Sequence, residues 1–135
     1  MEKSLVESFS KQQKLSLITL LRIISNGCQD QNKVKLQDKA IRQQADFLGL
    51  NFSDCENYLN NLNPANFQNE FQGLTNIQKD LAVSMAYEIL LCGGEPSERD
   101  YIIAENSFSK IANIDNDEFL KRIEKIQEMG NFFSK

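Results

Sequence analysis

The chain has 135 residues, 41% of them hydrophobic and 25% charged, with 15 Lys or Arg against 19 Asp or Glu and a net charge of −4. That length and balance fit one folded domain with its own core, and the acidic balance without a dense Lys/Arg run excludes a general nucleic-acid binder, which needs a basic surface to displace counterions. No apolar run reaches the ~20 residues of a membrane span and the first residues lack the apolar core of a signal peptide, so a cytoplasmic, bacterial-type protein without membrane insertion is the expectation.

Taken in order, apolar positions recur at helical spacing, and no stretch alternates as a strand would. A first helix is predicted over Leu5 to Asn26 with a break near Ser10, where Ser10 and Gln13 have the form of a capping box. In such a box the cap hydroxyl takes an orphan backbone N–H and the residue three positions on reaches back. Leu17, Leu20, Leu21 and Ile24 give this helix an apolar stripe, widened by Leu15, Ile18 and Ile23. Helices follow at about Lys33 to Leu48 and at Asp54 to Leu62, the latter opened by a Ser53–Glu56 box. Pro64 suits the first turn of a short helix reaching Gln72. Thr75 and Gln78 then cap Asn76 to Leu91, where Ile77, Leu81, Met85 and Ile89 recur four apart beside the small Ala82 and Ala86. The last two helices are Ser97 to Ala112 and Asn116 to Met129, with Asp115 and Glu118 opening the second. Gly27, Gly49, Gly73, Gly93 and Gly130 each follow a periodic segment, where the left-handed conformation ends a helix. The expected architecture is all-α, a single compact bundle of about seven helices.

Two segments share a plan. "LLRIISNGCQD" leads to a polar helix and "DFLGLNFSDCENYL"; "AYEILLCGGEPS" leads to a helix and "KIANIDNDEFLKRI". In both, an apolar helix ends in glycine, an acidic loop follows, then a helix, a short hydrophobic joint and a capped helix. The repeats span about 11–62 and 75–128 within one domain over 1–135. This plan resembles the TerB-like family, named for a tellurite-resistance protein. Its repeats read as an apolar helix, Ala-Asp-Gly, an acid a few residues on, a helix and a Leu-Gly-Leu-type joint. "CGGEPSERDYIIAENSFSKIANI" fits the second repeat and "SNGCQDQNKVKLQDKAIRQQADFLGL" the first. The resemblance implies a helical domain with acidic surfaces, divalent-cation binding and a part in membrane-associated stress-response assemblies. What carries over by position is an acid at Glu95 or Glu98 and the glycine after each first helix; Asn26 and Gly93 stand where the family has Asp.

The residues themselves leave several sites to weigh. Glu95, Glu98 and Asp100 place three carboxylates within six positions, the oxygen chemistry that Ca²⁺ or Mg²⁺ prefers. The same acids at a helix start also complement its dipole, and they would repel a phosphate from Gly93 and Gly94. "IDNDEF" opens like a calcium loop, but Phe119 and Leu120 stand where a ligand and the tight-turn glycine belong, so a helix start is favoured. Cys28, Cys55 and Cys92 are an odd set without a CxxC and without any His to complete a zinc site, so small apolar residues are expected. Glu88 is the carboxylate placed nearest the predicted core, with Tyr87 and Tyr101 as hydrogen-bonding neighbours, but no nucleophile–base pair accompanies it. Phe67, Phe71, Phe132 and Phe133 lie in short or terminal segments and are candidates for anchoring a protein partner or for closing the core. The reading favoured is a protein-interaction or stress-response module, in which a homodimer is one candidate assembly; the alternative is a divalent-cation binder through the acidic loop.

Overall fold

Residues 3–28 and 30–129 are described by a computed structural model. They form eight α-helices and no strand: α1 Lys3–Glu7, α2 Lys11–Asn26, α3 Gln31–Phe47, α4 Phe52–Asn60, α5 Pro64–Asn69, α6 Asn76–Leu91, α7 Glu98–Ile111 and α8 Asn116–Met129. The eighth helix comes from the break at Ser10. Ser10 turns extended (φ −70°, ψ 163°), its hydroxyl accepts from Gln13 N–H at 3.0 Å, and the Gln13 side chain accepts from Ser10 N–H at 2.9 Å. A full capping box also opens α6 at Thr75. Each such cap is worth about 1 kcal/mol.

Two caps differ from the sequence reading. Asn51, not Ser53, opens α4: its side-chain oxygen accepts from Asp54 N–H at 2.8 Å, which moves the helix start two residues upstream. Asp115 accepts from Glu118 N–H at 2.9 Å, while the Glu118 carboxylate bonds Arg122 of α8. Gly27 and Gly73 depart from the expectation, neither having a positive φ, and Gly130 lies outside the described residues. Gly27 keeps a right-handed φ of −79°, and its lack of a side chain serves packing, since a Cβ there would lie 2.9 Å from Ile103 of α7.

α2 and α6 form the centre. Leu17, Ile18, Leu20 and Leu21 of α2 and Leu81, Val83, Met85 and Ile89 of α6 are all at most 1% exposed. Ala82 and Ala86 let α2 and α6, which pack on each other, approach closely. α3 and α4 pack on α2, α7 and α8 on α6, and the sets cross over: α7 also packs on α2, and α3 on α6. Ile77, counted in the α6 stripe by its spacing, lies instead on the outside at 56% exposure, because the buried part of that helix begins at Gln78.

Polar groups inside are mostly paired across helices. Ser25 donates to Gln37 at 2.8 Å, joining α2 to α3, and Gln44 donates to the Met85 carbonyl at 3.2 Å, joining α3 to α6. The buried carboxylate of α6 is Asp80, 3% exposed, rather than Glu88, which is half-buried. Asp80 takes Arg122 and Lys125 of α8, each at 2.6 Å. Burying a lone carboxylate is costly, and two cations on separate oxygens offset that cost.

Candidate functional site

The junction from α6 to α7 is the densest meeting of candidate residues. Gly93 (φ +88°) and Gly94 (φ +120°) both occupy backbone conformations that L side chains rarely adopt, so the chain reverses sharply after Cys92. Gly94 donates its N–H to the Leu91 carbonyl at 3.2 Å and so stays on the end of α6. Ser97 then caps α7. Its hydroxyl accepts from Asp100 N–H, and the Asp100 carboxylate accepts from Ser97 N–H, both at 3.1 Å. An Asp in this position closes the box as Glu or Gln would.

The three predicted carboxylates divide here. Asp100 is 7% exposed, whereas Glu95 and Glu98 point to water. A cation from elsewhere in the fold already meets the buried one. Lys33 of α3 places Nζ 3.7 Å from Asp100 Oδ2 and donates to the Glu95 carbonyl at 3.2 Å, with its side chain 18% exposed. Its stem lies on the loop: a Cβ on Gly93 would be 2.8 Å from Lys33 Cγ, and only glycine leaves that room. Among the described residues no three Cys, Asp or Glu side chains are grouped so as to hold a metal ion. What the junction does chemically is neutralise one buried carboxylate with a tethered ammonium.

The other candidates fall as follows. In "IDNDEF", Asp115 caps a helix and Phe119 is fully buried, its ring 5.1 Å from that of Phe108. Cys55 is buried, and Cys28 and Cys92 are half-buried; all three are free thiols. Burial pushes the Cys55 and Cys92 thiols above their ordinary range; Arg22 opposes the shift at Cys55, and Glu88 adds to it at Cys92. Cys92 Sγ donates to the Glu88 carbonyl at 3.4 Å. Tyr87 and Tyr101 are brought near enough to interact, and Gln127 donates to Tyr87 at 3.0 Å. Burial, then the neighbouring Tyr87 and Glu95, pushes the Tyr101 phenol up. Phe67 and Phe71 are 4% and 3% exposed and meet edge to face at 5.5 Å, so they close the core rather than offer a surface. Phe132 and Phe133 lie outside the described residues.

Comparison with family models, with curated proteins and with solved structures finds no match to this chain.

Two features were missed from the sequence. One is a half-open cleft of about 410 Å³ between α2, α4 and α5, lined by Gln12, Tyr58, Asn61, Asn63, Asn66 and Glu70. The Tyr58 hydroxyl is held by Ser16 at 2.5 Å, and Asn63 spends its oxygen on capping α5. The run of Asn residues in this part of the chain reads as helix punctuation, which hides the cleft they line. The second is a set of exposed apolar side chains, Leu36 (49%) and Phe47 (41%) on α3 and Ile77 (56%) and Leu91 (37%) at the two ends of α6.

Proposed function

We propose that the chain is a non-enzymatic protein-interaction domain with a TerB-like, duplicated helical plan, working in a cytoplasmic stress-response setting. The duplicated plan is supported by a reciprocity in the packing. α2 ends at Gly27 against Ile103 of α7, and α6 ends at Gly93 against Lys33 of α3, so each first helix ends on the second helix of the other repeat. α4 stands on α2 through Arg22–Glu56 (2.8 Å) as α8 stands on α6 through Arg122–Asp80 (2.6 Å). Two copies of one unit paired about an internal axis would pack in this way.

The interaction role rests on the exposed apolar side chains of α3 and of the ends of α6. Single exposed apolar residues are ordinary, but a group of them on adjoining helices marks a contact surface. Ile77 and Leu91 are exposed at opposite ends of α6, about four turns apart, with the residues between them buried or half-buried. Leu36 borders the end of the same helix, its Cδ1 3.5 Å from where a Gly93 Cβ would be. Burying such side chains recovers about 25 cal/mol per Å² of apolar surface. In-cell crosslinking in the native host tests this. Leu36→Glu/Ile77→Glu changes two exposed positions and is expected to keep the fold while losing the crosslinked species formed by the wild type. Identical crosslinks in both would remove this surface from the role.

A further inference from the structure

We propose that the cleft between α2, α4 and α5 binds a neutral polyhydroxylated ligand, a sugar ring held by side-chain amides. The inference goes beyond the interaction surface and does not depend on it. The cleft is preformed. Phe67 and Phe71, which bracket Glu70 in the chain, are buried and fix α5 and the turn after it to the core. The Glu70 carbonyl accepts from the Gln13 side chain of α2 at 3.5 Å, which ties the two walls together. Tyr58 of α4 is hydrogen-bonded to Ser16, a fully buried residue of α2. The volume of about 410 Å³ falls in the ~300–1,000 Å³ range of small-molecule sites.

The lining selects the ligand by elimination and by match. Among the described residues it holds no Lys or Arg to meet an anion, and a single carboxylate where a Ca²⁺ site gathers several. Leu62 and the Tyr58 ring are its apolar part, too little for a greasy ligand. The rest is amide. Asn61 donates through Nδ2 to the Asn57 carbonyl at 2.9 Å, which leaves its Oδ1 as a held acceptor. Asn63 accepts through Oδ1 from Asn66 N–H at 3.1 Å, which leaves its Nδ2 as a held donor. The Gln12 and Asn66 amides and the Glu70 carboxylate have no side-chain partner among the described residues. A hydroxyl both donates and accepts, so neighbouring hydroxyls of a sugar satisfy an amide at its oxygen and its nitrogen together. The half-buried Glu70 takes one more hydroxyl in a charge-assisted bond, and Leu62 with the Tyr58 ring supplies surface for the sugar's C–H face. Groups already oriented before the ligand arrives lose less freedom on binding.

Side-chain amide signals in nitrogen–proton correlation spectra of the full chain test the site, with D-glucose, D-galactose and N-acetyl-D-glucosamine as probes and putrescine as an ammonium control. At least one sugar is expected to move the Gln12, Asn63 and Asn66 side-chain signals saturably, with a Kd on the order of 1 mM. Asn66→Ala removes an exposed amide that makes no side-chain bond, and is expected to weaken that binding about tenfold. Glu70→Gln keeps the shape, loses the charge, and is expected to weaken it as well. Unchanged backbone signals away from the cleft confirm the fold of each variant. Absence of a saturable shift with all three sugars overturns the proposal, as does a shift that both variants leave unaltered. Putrescine moving the same signals where the sugars do not would make this a site for a cation and overturn it too.

Discussion

Lys33 of α3 and Asp100 of α7 are joined across 3.7 Å, with the Lys33 stem seated on Gly93 and its ammonium on the Glu95 carbonyl. One lysine thus ties the second helix of one repeat to the loop and helix of the other. Both side chains are largely withdrawn from water, at 18% and 8% exposure, so the pair is screened less than a surface pair. Lys33→Met keeps the stem and removes the charge. It is expected to cost about 1–2 kcal/mol, read as a lower urea midpoint with an unchanged slope.

Gly93→Ala and Gly49→Ala separate backbone strain from crowding. Both glycines have positive φ, +88° and +78°, but nothing lies within 4 Å of a Cβ at Gly49. Gly49→Ala is expected to lose about 1 kcal/mol from the left-handed conformation alone. Gly93→Ala is expected to lose more, because the Lys33 stem must also move. Its cost combined with Lys33→Met is expected to fall short of the sum in a double-mutant cycle. Additive costs would mean that the stem does not depend on the glycine.

Asp80→Asn strips the shared carboxylate from Arg122 and Lys125. Arg122 is only 13% exposed and would keep the Glu118 carboxylate and the Asn76 carbonyl as partners. Breaking one partner of a buried pair typically costs about 3–5 kcal/mol, and these remaining partners place the expected loss at the lower end. Thermal unfolding followed by circular dichroism measures it.

Alkaline pH is expected to loosen the fold. Burial holds the Cys55 and Cys92 thiols and the Tyr101 phenol above their ordinary values, so the unfolded chain gives up these protons first. Their contribution is fully present below the unfolded values, about 8.5 for Cys and 10 for Tyr, and is lost as pH rises toward the folded ones. Each thiol contributes a slope of up to about 1.4 kcal/mol per pH unit in that window. Denaturant midpoints between pH 8 and 10 are expected to fall less steeply in Cys55→Ala/Cys92→Ala than in the wild type.

The sequence carries the local part of this structure well. The Ser10 and Thr75 boxes, the ends of α6 and α8, and the two apolar helices follow from spacing and cap chemistry within a few residues. Ser53 misled because Asn51, two positions earlier, caps the helix through Asp54 N–H, so Ser53 already lies in its first turn. Phe67 and Phe71 sit in a short helix that looks peripheral, and only packing shows that they are buried. Glu88 looked the more central carboxylate, whereas Asp80, about two turns earlier, faces α8 and its two cations. Lys33 is more than sixty positions from the loop it occupies, and no periodicity reports such a contact.

Thermal unfolding of the wild-type chain with and without Ca²⁺ or Mg²⁺ tests most directly whether the Gly93–Asp100 junction is closed by its own lysine. A melting temperature unchanged by either ion beyond the effect of matched ionic strength is expected. A saturable rise that disappears in Glu95→Ala/Glu98→Ala would show preferential ion binding to the folded state and would contradict it.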